Sequence, residues 1–260
     1  MIADGRAGRG RRGKNRAAAA LLAVVLGVLL SGCALFANRP MDVLSYENPD
    51  APSSSRLIVF LRGIGGSHRS FEEEGLVADV WACGLSCDIV APNAHIGYYG
   101  DRRLIDRLKK DVIDPARAKG YAEIWLVGFS MGGLGSLLYY MDHPEDIARV
   151  YLIAPFLGAP LFLAQIEAAG GPRAWEPGEY VYGVDWQQML WRWLKVSVAD
   201  HPEKIVYLGY GAGDPYSRGH QLLAELLPPE RVVVIEGGHD YLTFKTLWKI
   251  FITGAGQAKP

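Results

Sequence analysis

Short, wholly apolar runs alternate with amphipathic stretches along most of this 260-residue chain. Residues 57–61 read Leu-Ile-Val-Phe-Leu, apolar at every position, the pattern of a strand buried on both faces of a parallel sheet. Similar runs fall at 87–91, 124–128, 150–154, 205–208 and 232–235. Between them lie helical patterns. Ser70-Phe71-Glu72-Glu73 has the capping-box spacing, serine accepting from the third amide and glutamate reaching back, and predicts a helix to about residue 82. Residues 101–119 gather Leu104, Ile105, Leu108 and Val112 on one face and charge on the other. Further helices are expected at 131–141, near 221–227 and from 241. Strands and helices in this alternation predict an α/β fold with a mostly parallel sheet covered on both faces. The rhythm lapses at about 156–199, where Gly-Gly-Pro, Pro-Gly and clustered tryptophans predict a small inserted cap. The folded domain is expected to run over 56–260.

The first forty residues follow a different pattern. Arg6, Arg9, Arg11, Arg12, Lys14 and Arg16 precede an apolar run at 17–30, too short for the roughly 18 residues of a membrane span. A basic start, a short apolar core and small residues before a cleavage point describe an export signal over 1–32. Leu30-Ser31-Gly32-Cys33 resembles the lipobox of bacterial lipoproteins, which implies acylation of Cys33 and a lipid anchor in an envelope membrane. Arg11-Arg12 lacks the residues of twin-arginine export, so the general secretory route is favoured. The alternative is an ordinary cleaved signal with a chance cysteine. Residue 34 is Ala rather than Asp, which by resemblance to enteric lipoproteins implies the outer membrane where the cell has one. Residues 33–55 then read as a tether, broken by Pro40, Pro49 and Pro52, with 41–46 able to add an edge strand.

Composition changes this picture little, but it removes some functions. Half of the residues are hydrophobic, enough for one large core. The full chain carries a formal charge of −1, and losing residues 1–32 removes six basic groups and one acidic group, leaving −6. Such a surface gives no electrostatic reason to bind phosphate backbones, so nucleic acid is not an expected partner. Cys83 and Cys87 are the only cysteines after Cys33. Outside the cytoplasm they are expected to form a disulfide around Gly84, with two free buried thiols as the alternative. No histidine stands in a ligand pattern beside them, so no metal is expected.

Active sites of such sheets lie at the carboxyl ends of strands. Gly128-Phe129-Ser130-Met131-Gly132 falls there, between an apolar strand and a helix, as G-x-S-x-G in the setting it requires. The sharp turn projects the Ser130 hydroxyl above the sheet, which makes it the candidate nucleophile. A serine hydroxyl needs a base, and His239 follows the strand at 232–235 on a glycine-rich loop. Asp214 follows the strand at 205–208 and is the candidate acid that orients the imidazole. A tetrahedral intermediate also needs amide donors. The Met131 amide at a helix N-terminus supplies one candidate. Ile64, with Gly65 close behind, supplies the other, from Arg62-Gly63-Ile64-Gly65-Gly66-Ser67. That loop is not a dinucleotide fingerprint, because His68 occupies the third glycine position.

Gly-Phe-Ser-Met-Gly-Gly at 128–133 and Gly-Gly-His-Asp at 237–240, in this order, resemble the α/β-hydrolase superfamily from residue 56 to about 251. The motifs look most like its esterase D, feruloyl esterase and mycolyltransferase branch. The resemblance implies an eight-stranded sheet, a Ser-Asp-His triad, no cofactor and a small-molecule or lipid ester as substrate. It departs where many relatives carry His-Gly and this chain has Arg62-Gly63. Cleavage of carboxylic esters through an acyl-enzyme is the expected activity. Acyl transfer to envelope lipids or sugars and a non-catalytic binding role are the alternatives; the oligomeric state is open. In the cap, Trp186, Met189, Leu190, Trp193 and Leu194 recur at helical spacing, with Trp191 and Lys195 off the stripe. Either this face packs on the domain, or Trp186 and Trp193 roof the cleft over Ser130 and meet an acyl group.

Overall fold

The computed structural model describes residues 39–201 and 205–257. The expected signal, the lipidation site Cys33 and the start of the tether lie outside these residues. Seven strands form one sheet: β1 (Val43–Tyr46), β2 (Arg56–Leu61), β3 (Asp88–Pro92), β4 (Glu123–Phe129), β5 (Arg149–Ile153), β6 (Val206–Gly211) and β7 (Val232–Ile235). Their spatial order is β1-β3-β2-β4-β5-β6-β7, all parallel except β1, which runs antiparallel to β3. The six strand-like runs from residue 57 onward each lie in a strand, within a residue or two at each end. Among the described residues the sheet has seven strands rather than eight. After β1 the chain turns through Pro49 and Pro52, which cannot donate to a ladder, and Asn48 is buried there, its amide donating to Asp88 at 2.8 Å.

Alternate strand residues face opposite layers. Ile58, Phe60, Trp125, Val127, Phe129, Tyr151 and Ile153 belong to one core. It is shared with Phe71 of α1 (Ser70–Glu73), with Leu76 and Val80 of α2 (Leu76–Ala82), and with Leu247 and Trp248 of α9 (Tyr241–Gln257). Phe60 stacks on Phe71 at 4.8 Å and meets Trp248 edge-on at 5.6 Å.

The expected helix from Ser70 is two short helices, because Gly75 takes φ +76° between them. Its capping box does not form. The helix begins after Arg69, so Ser70 is already inside the first turn, and its hydroxyl accepts from the Ser67 amide instead. The amphipathic stretch is α3 (Arg103–Leu108) and α4 (Asp114–Ala118), joined by a π-turn at Lys109–Ile113. Pro115 explains the wide turn: it has no N–H, and its ring would clash with the carbonyl one regular turn earlier. The helix after β4 is α5 (Met131–Asp142).

The expected disulfide is absent: Cys83 and Cys87 are free. The Cys83 thiol donates to the Val80 carbonyl of its own helix at 3.0 Å, while Cys87 lies in the core, where burial pushes its thiol up to about 12. Spacing brings the two close in sequence, but each sulfur is taken up separately, one by a helix carbonyl and the other by the core.

Between β5 and β6 the chain forms α6 (Pro160–Ala168) and α7 (Trp186–Trp193), the latter widening into a π-turn at Leu194–Val198. The buried face of this segment differs from the expected stripe. Trp191 is fully buried and its indole N–H donates to the Leu157 carbonyl at 2.8 Å, whereas Trp186 and Trp193 are only half-buried. The helix after β6 is α8 (Ser217–Ala224).

Candidate active site

Ser130 sits between β4 and α5 with φ 53° and ψ −115°, a conformation that a residue with a side chain rarely takes. Its main chain is held on both sides. The Ser130 amide donates to the Ile153 carbonyl at 3.0 Å, and its carbonyl accepts from the Gly133 and Phe156 amides at 2.9 Å each. The turn also depends on close approach. A Cβ on Gly132 would stand 2.0 Å from the Leu61 carbonyl oxygen, so only glycine lets the start of α5 lie against β2.

His239 and Asp214 come from the loops after β7 and β6, and those loops are tied together. The Gly213 amide donates to the Gly237 carbonyl at 2.9 Å, and the Ala212 amide to that of Ile235 at 2.8 Å. Imidazole Nε2 then stands 2.8 Å from Ser130 Oγ, and Nδ1 stands 2.7 Å from Asp214 Oδ2. Asp214 is nearly fully buried and Ser130 almost so, while about a fifth of the His239 side chain reaches solvent. Tyr216 and Phe244 contact the imidazole edge-on, with centroids 4.9 and 5.0 Å away. Burial by itself would raise the Asp214 carboxyl. The hydrogen bonds from His239 and the Tyr216 amide, with the nearby charge of His220 and His239, outweigh it and hold the carboxyl below its ordinary value. Asp240, beside the histidine in sequence, accepts from the Thr243 amide at the start of α9 and takes no part.

The loop after β2 lies beside this group, as a Cβ on Gly63 would come 3.3 Å from that of Ser130. Arg62 pins the loop. Its guanidinium donates to the Gly63 carbonyl at 3.2 Å, to the Ile64 carbonyl at 3.1 Å and to Asn93 Oδ1 at 3.0 Å. With the Gly63 carbonyl turned to Arg62, the trans peptide points the Ile64 N–H the opposite way. The Met131 amide, in the first turn of α5, has no intrahelical acceptor. Its carbonyl accepts from the Tyr99 hydroxyl at 2.8 Å.

Three features escaped the sequence reading. Arg62 was visible only as a departure from a motif. His220, fully buried on α8, stands 2.9 Å from the Pro155 carbonyl, next to the residue whose amide binds Ser130. Phe156 and Tyr216 contact each other at 5.8 Å beside the histidine. Aromatic residues on loops after β5 and β6 were the available signal, since those loops must end near Ser130. Among the described residues, the potential metal ligands His143, Glu145 and Asp146 cluster beyond the far end of α5 from Ser130, and Asp146 already accepts from Tyr139 and Lys109.

The fold is shared with known proteins. A family model described as alpha/beta hydrolase fold matches residues 56–179, a span that includes Ser130 and ends before Asp214 and His239. The chain has the α/β-hydrolase fold. Among solved structures, Est1E from Butyrivibrio proteoclasticus is similar with a TM-score of 0.57 at 18% identity, covering 84% of this chain and 95% of that one. An S-formylglutathione hydrolase from Staphylococcus aureus has a TM-score of 0.53 at 13% identity, covering 84% and 98%. A ferulic acid esterase also has 0.53, at 16% identity, covering 84% and 99%. No curated protein sequence matches the chain. At these identities the α/β-hydrolase likeness is one of fold.

Proposed function

We propose that this α/β-hydrolase-fold protein cleaves carboxylic esters with Ser130 as nucleophile, His239 as general base and Asp214 as the acid that orients it. The observation that carries this reading is the unbroken chain of contacts from Asp214 Oδ2 through both imidazole nitrogens to Ser130 Oγ, at 2.7 and 2.8 Å. With Nδ1–H donated to Asp214, the tautomer leaves Nε2 as the acceptor facing the hydroxyl. Nε2 takes the hydroxyl proton as Oγ bonds to the ester carbon, and the buried carboxylate stabilises the imidazolium that results. The carbonyl oxygen gains the negative charge, and the Met131 and Ile64 amides are the donors proposed for it. Collapse of this intermediate breaks the bond to the alkoxy oxygen, which leaves with the proton from Nε2. The acyl group stays on Ser130. Water, deprotonated by the same nitrogen, then releases the acid and restores the hydroxyl.

The acyl-enzyme is directly measurable. Mixing the protein with p-nitrophenyl acetate and quenching in acid should give a burst of nitrophenolate and a mass increase of one acetyl group on the peptide containing Ser130. An acetyl group found elsewhere, or turnover with no covalent species in a Ser130→Ala variant that retains full activity, contradicts the reading.

We further propose that Cys33 carries lipid and holds the domain on an envelope membrane, facing an extracytoplasmic compartment. This rests on the basic segment, the apolar run and Leu30-Ser31-Gly32-Cys33.

A further inference from the structure

An apolar pocket of about 350 Å³ opens beside Ser130 and belongs to none of the groups assigned so far. Ser130 does not line it, but its neighbours do. Met131 follows the serine in the chain, and Phe156 donates its amide to the serine carbonyl. From these two the pocket runs between Leu134 and Leu138 of α5, Leu104 and Ile105 of α3, and Trp186 and Met189 of α7. Its size lies within the range of small-molecule sites, and burial of apolar ligand surface is the main force that such walls offer.

The lining also says what does not belong there. Among the described residues no charged side chain borders the pocket, and the one side-chain hydroxyl among them, that of Tyr99, spends its proton on the Met131 carbonyl. The phenol of a hydroxycinnamoyl group would leave water on entering and find at most the Trp186 indole N–H and a lone pair of the Tyr99 oxygen, with carbon on the other sides. A saturated chain loses nothing polar.

Resting on the proposal that Ser130 is the nucleophile, we propose that this pocket holds the acyl part of the substrate and that the acyl group is a saturated aliphatic chain. The reacting carbon then sits over Ser130, and the chain passes Met131 and Phe156 into the space under Trp186. Trp193 is not part of it; its ring meets Tyr140 at 6.0 Å. The roof expected from two tryptophans therefore reduces to Trp186.

The test is a panel of p-nitrophenyl esters from C2 to C12, with methyl ferulate beside it. For wild type, kcat/KM should rise up to about fourfold per added methylene until the pocket is full, and methyl ferulate should be a poorer substrate than a C6 or C8 ester. Leu138→Trp fills the pocket from α5, and Val184→Asp puts a charge on its solvent-exposed rim, where folding is not at stake. Each should lower the C8-to-C2 ratio at least tenfold, while Trp193→Ala should leave that ratio unchanged. A flat chain-length profile, a preference for methyl ferulate, or ratios unmoved in both pocket variants overturns the proposal. Binding is read separately from chemistry. Octanoic acid titrated into Ser130→Ala should change tryptophan fluorescence saturably, and Val184→Asp in that background should weaken the binding at least tenfold. Binding without turnover in wild type defeats only the nucleophile assignment; turnover without chain-length dependence defeats only the pocket.

Discussion

A serine held at φ 53° costs about 1–3 kcal/mol of backbone strain, which neighbouring contacts must offset. Here four main-chain hydrogen bonds surround Ser130, and one of them comes from the segment that His220 holds. His220 is fully buried, and burial lowers its pKa to about 4 although Asp214 nearby favours the charged form; His239 opposes it. The sign of the pH effect follows. Between about 6.5, the ordinary imidazole value, and 4 the unfolded chain binds a proton that the folded chain refuses. His220 therefore makes stability fall as pH drops through this window, by about 3 kcal/mol once below it. Urea unfolding at pH 7 and pH 5 measures it. His220→Gln, which keeps an N–H for the Pro155 carbonyl, should lose less stability than wild type between these values. Equal losses would show that another group carries the acid limb. No sequence pattern marks His220; a helix position reveals neither its burial nor its partner across 65 residues.

At the scale of elements, the joint between β4 and α5 depends on main-chain contact rather than on side-chain packing. Gly132→Ala would place a methyl carbon 2.0 Å from a β2 carbonyl, so helix or strand must move. A loss of about 3 kcal/mol or more is expected, seen as a lower denaturation midpoint or as insoluble protein; an unchanged midpoint would mean that the elbow yields easily. Elements were legible where burial is uniform. β2, β4 and β5 lie in the middle of the sheet and are apolar at almost every position, so their runs stood out. The cap helix was harder. Helical spacing offers several apolar faces, and tertiary contact selects the one that buries Trp191 along with Leu190 and Leu194, the Trp191 indole N–H finding the Leu157 carbonyl. For Cys83 and Cys87 spacing permits a bond, but the fold ties one thiol to the Val80 carbonyl and buries the other in the core. Ser130, Asp214 and His239 were legible since glycine-rich turns at strand ends mark where chain and chemistry meet. The guanidinium of Arg62 was not, since a long side chain can reach several partners and only the fold selects them.

For the molecule as a whole, the described domain contains no helix long and apolar enough to cross a membrane. The proposed attachment is through Cys33. Mass spectrometry of protein recovered from a bacterial envelope should find a mature N-terminus at Cys33 carrying diacylglycerol; an unmodified cysteine, or cleavage elsewhere, removes the anchor from the account. The fold supplies a second whole-molecule property, the convergence of three distant chain segments on one cleft. Ser130 and His239 are 109 residues apart, and their 2.8 Å contact exists only in the folded state. Labelling with a fluorophosphonate tests that convergence and the central claim together. The folded protein should form a single covalent adduct on Ser130, at a rate that falls by orders of magnitude in His239→Ala and to nothing in Ser130→Ala, with both variants folded. Labelling of folded Ser130→Ala at the wild-type rate, or an adduct mapped to another serine, would contradict the account.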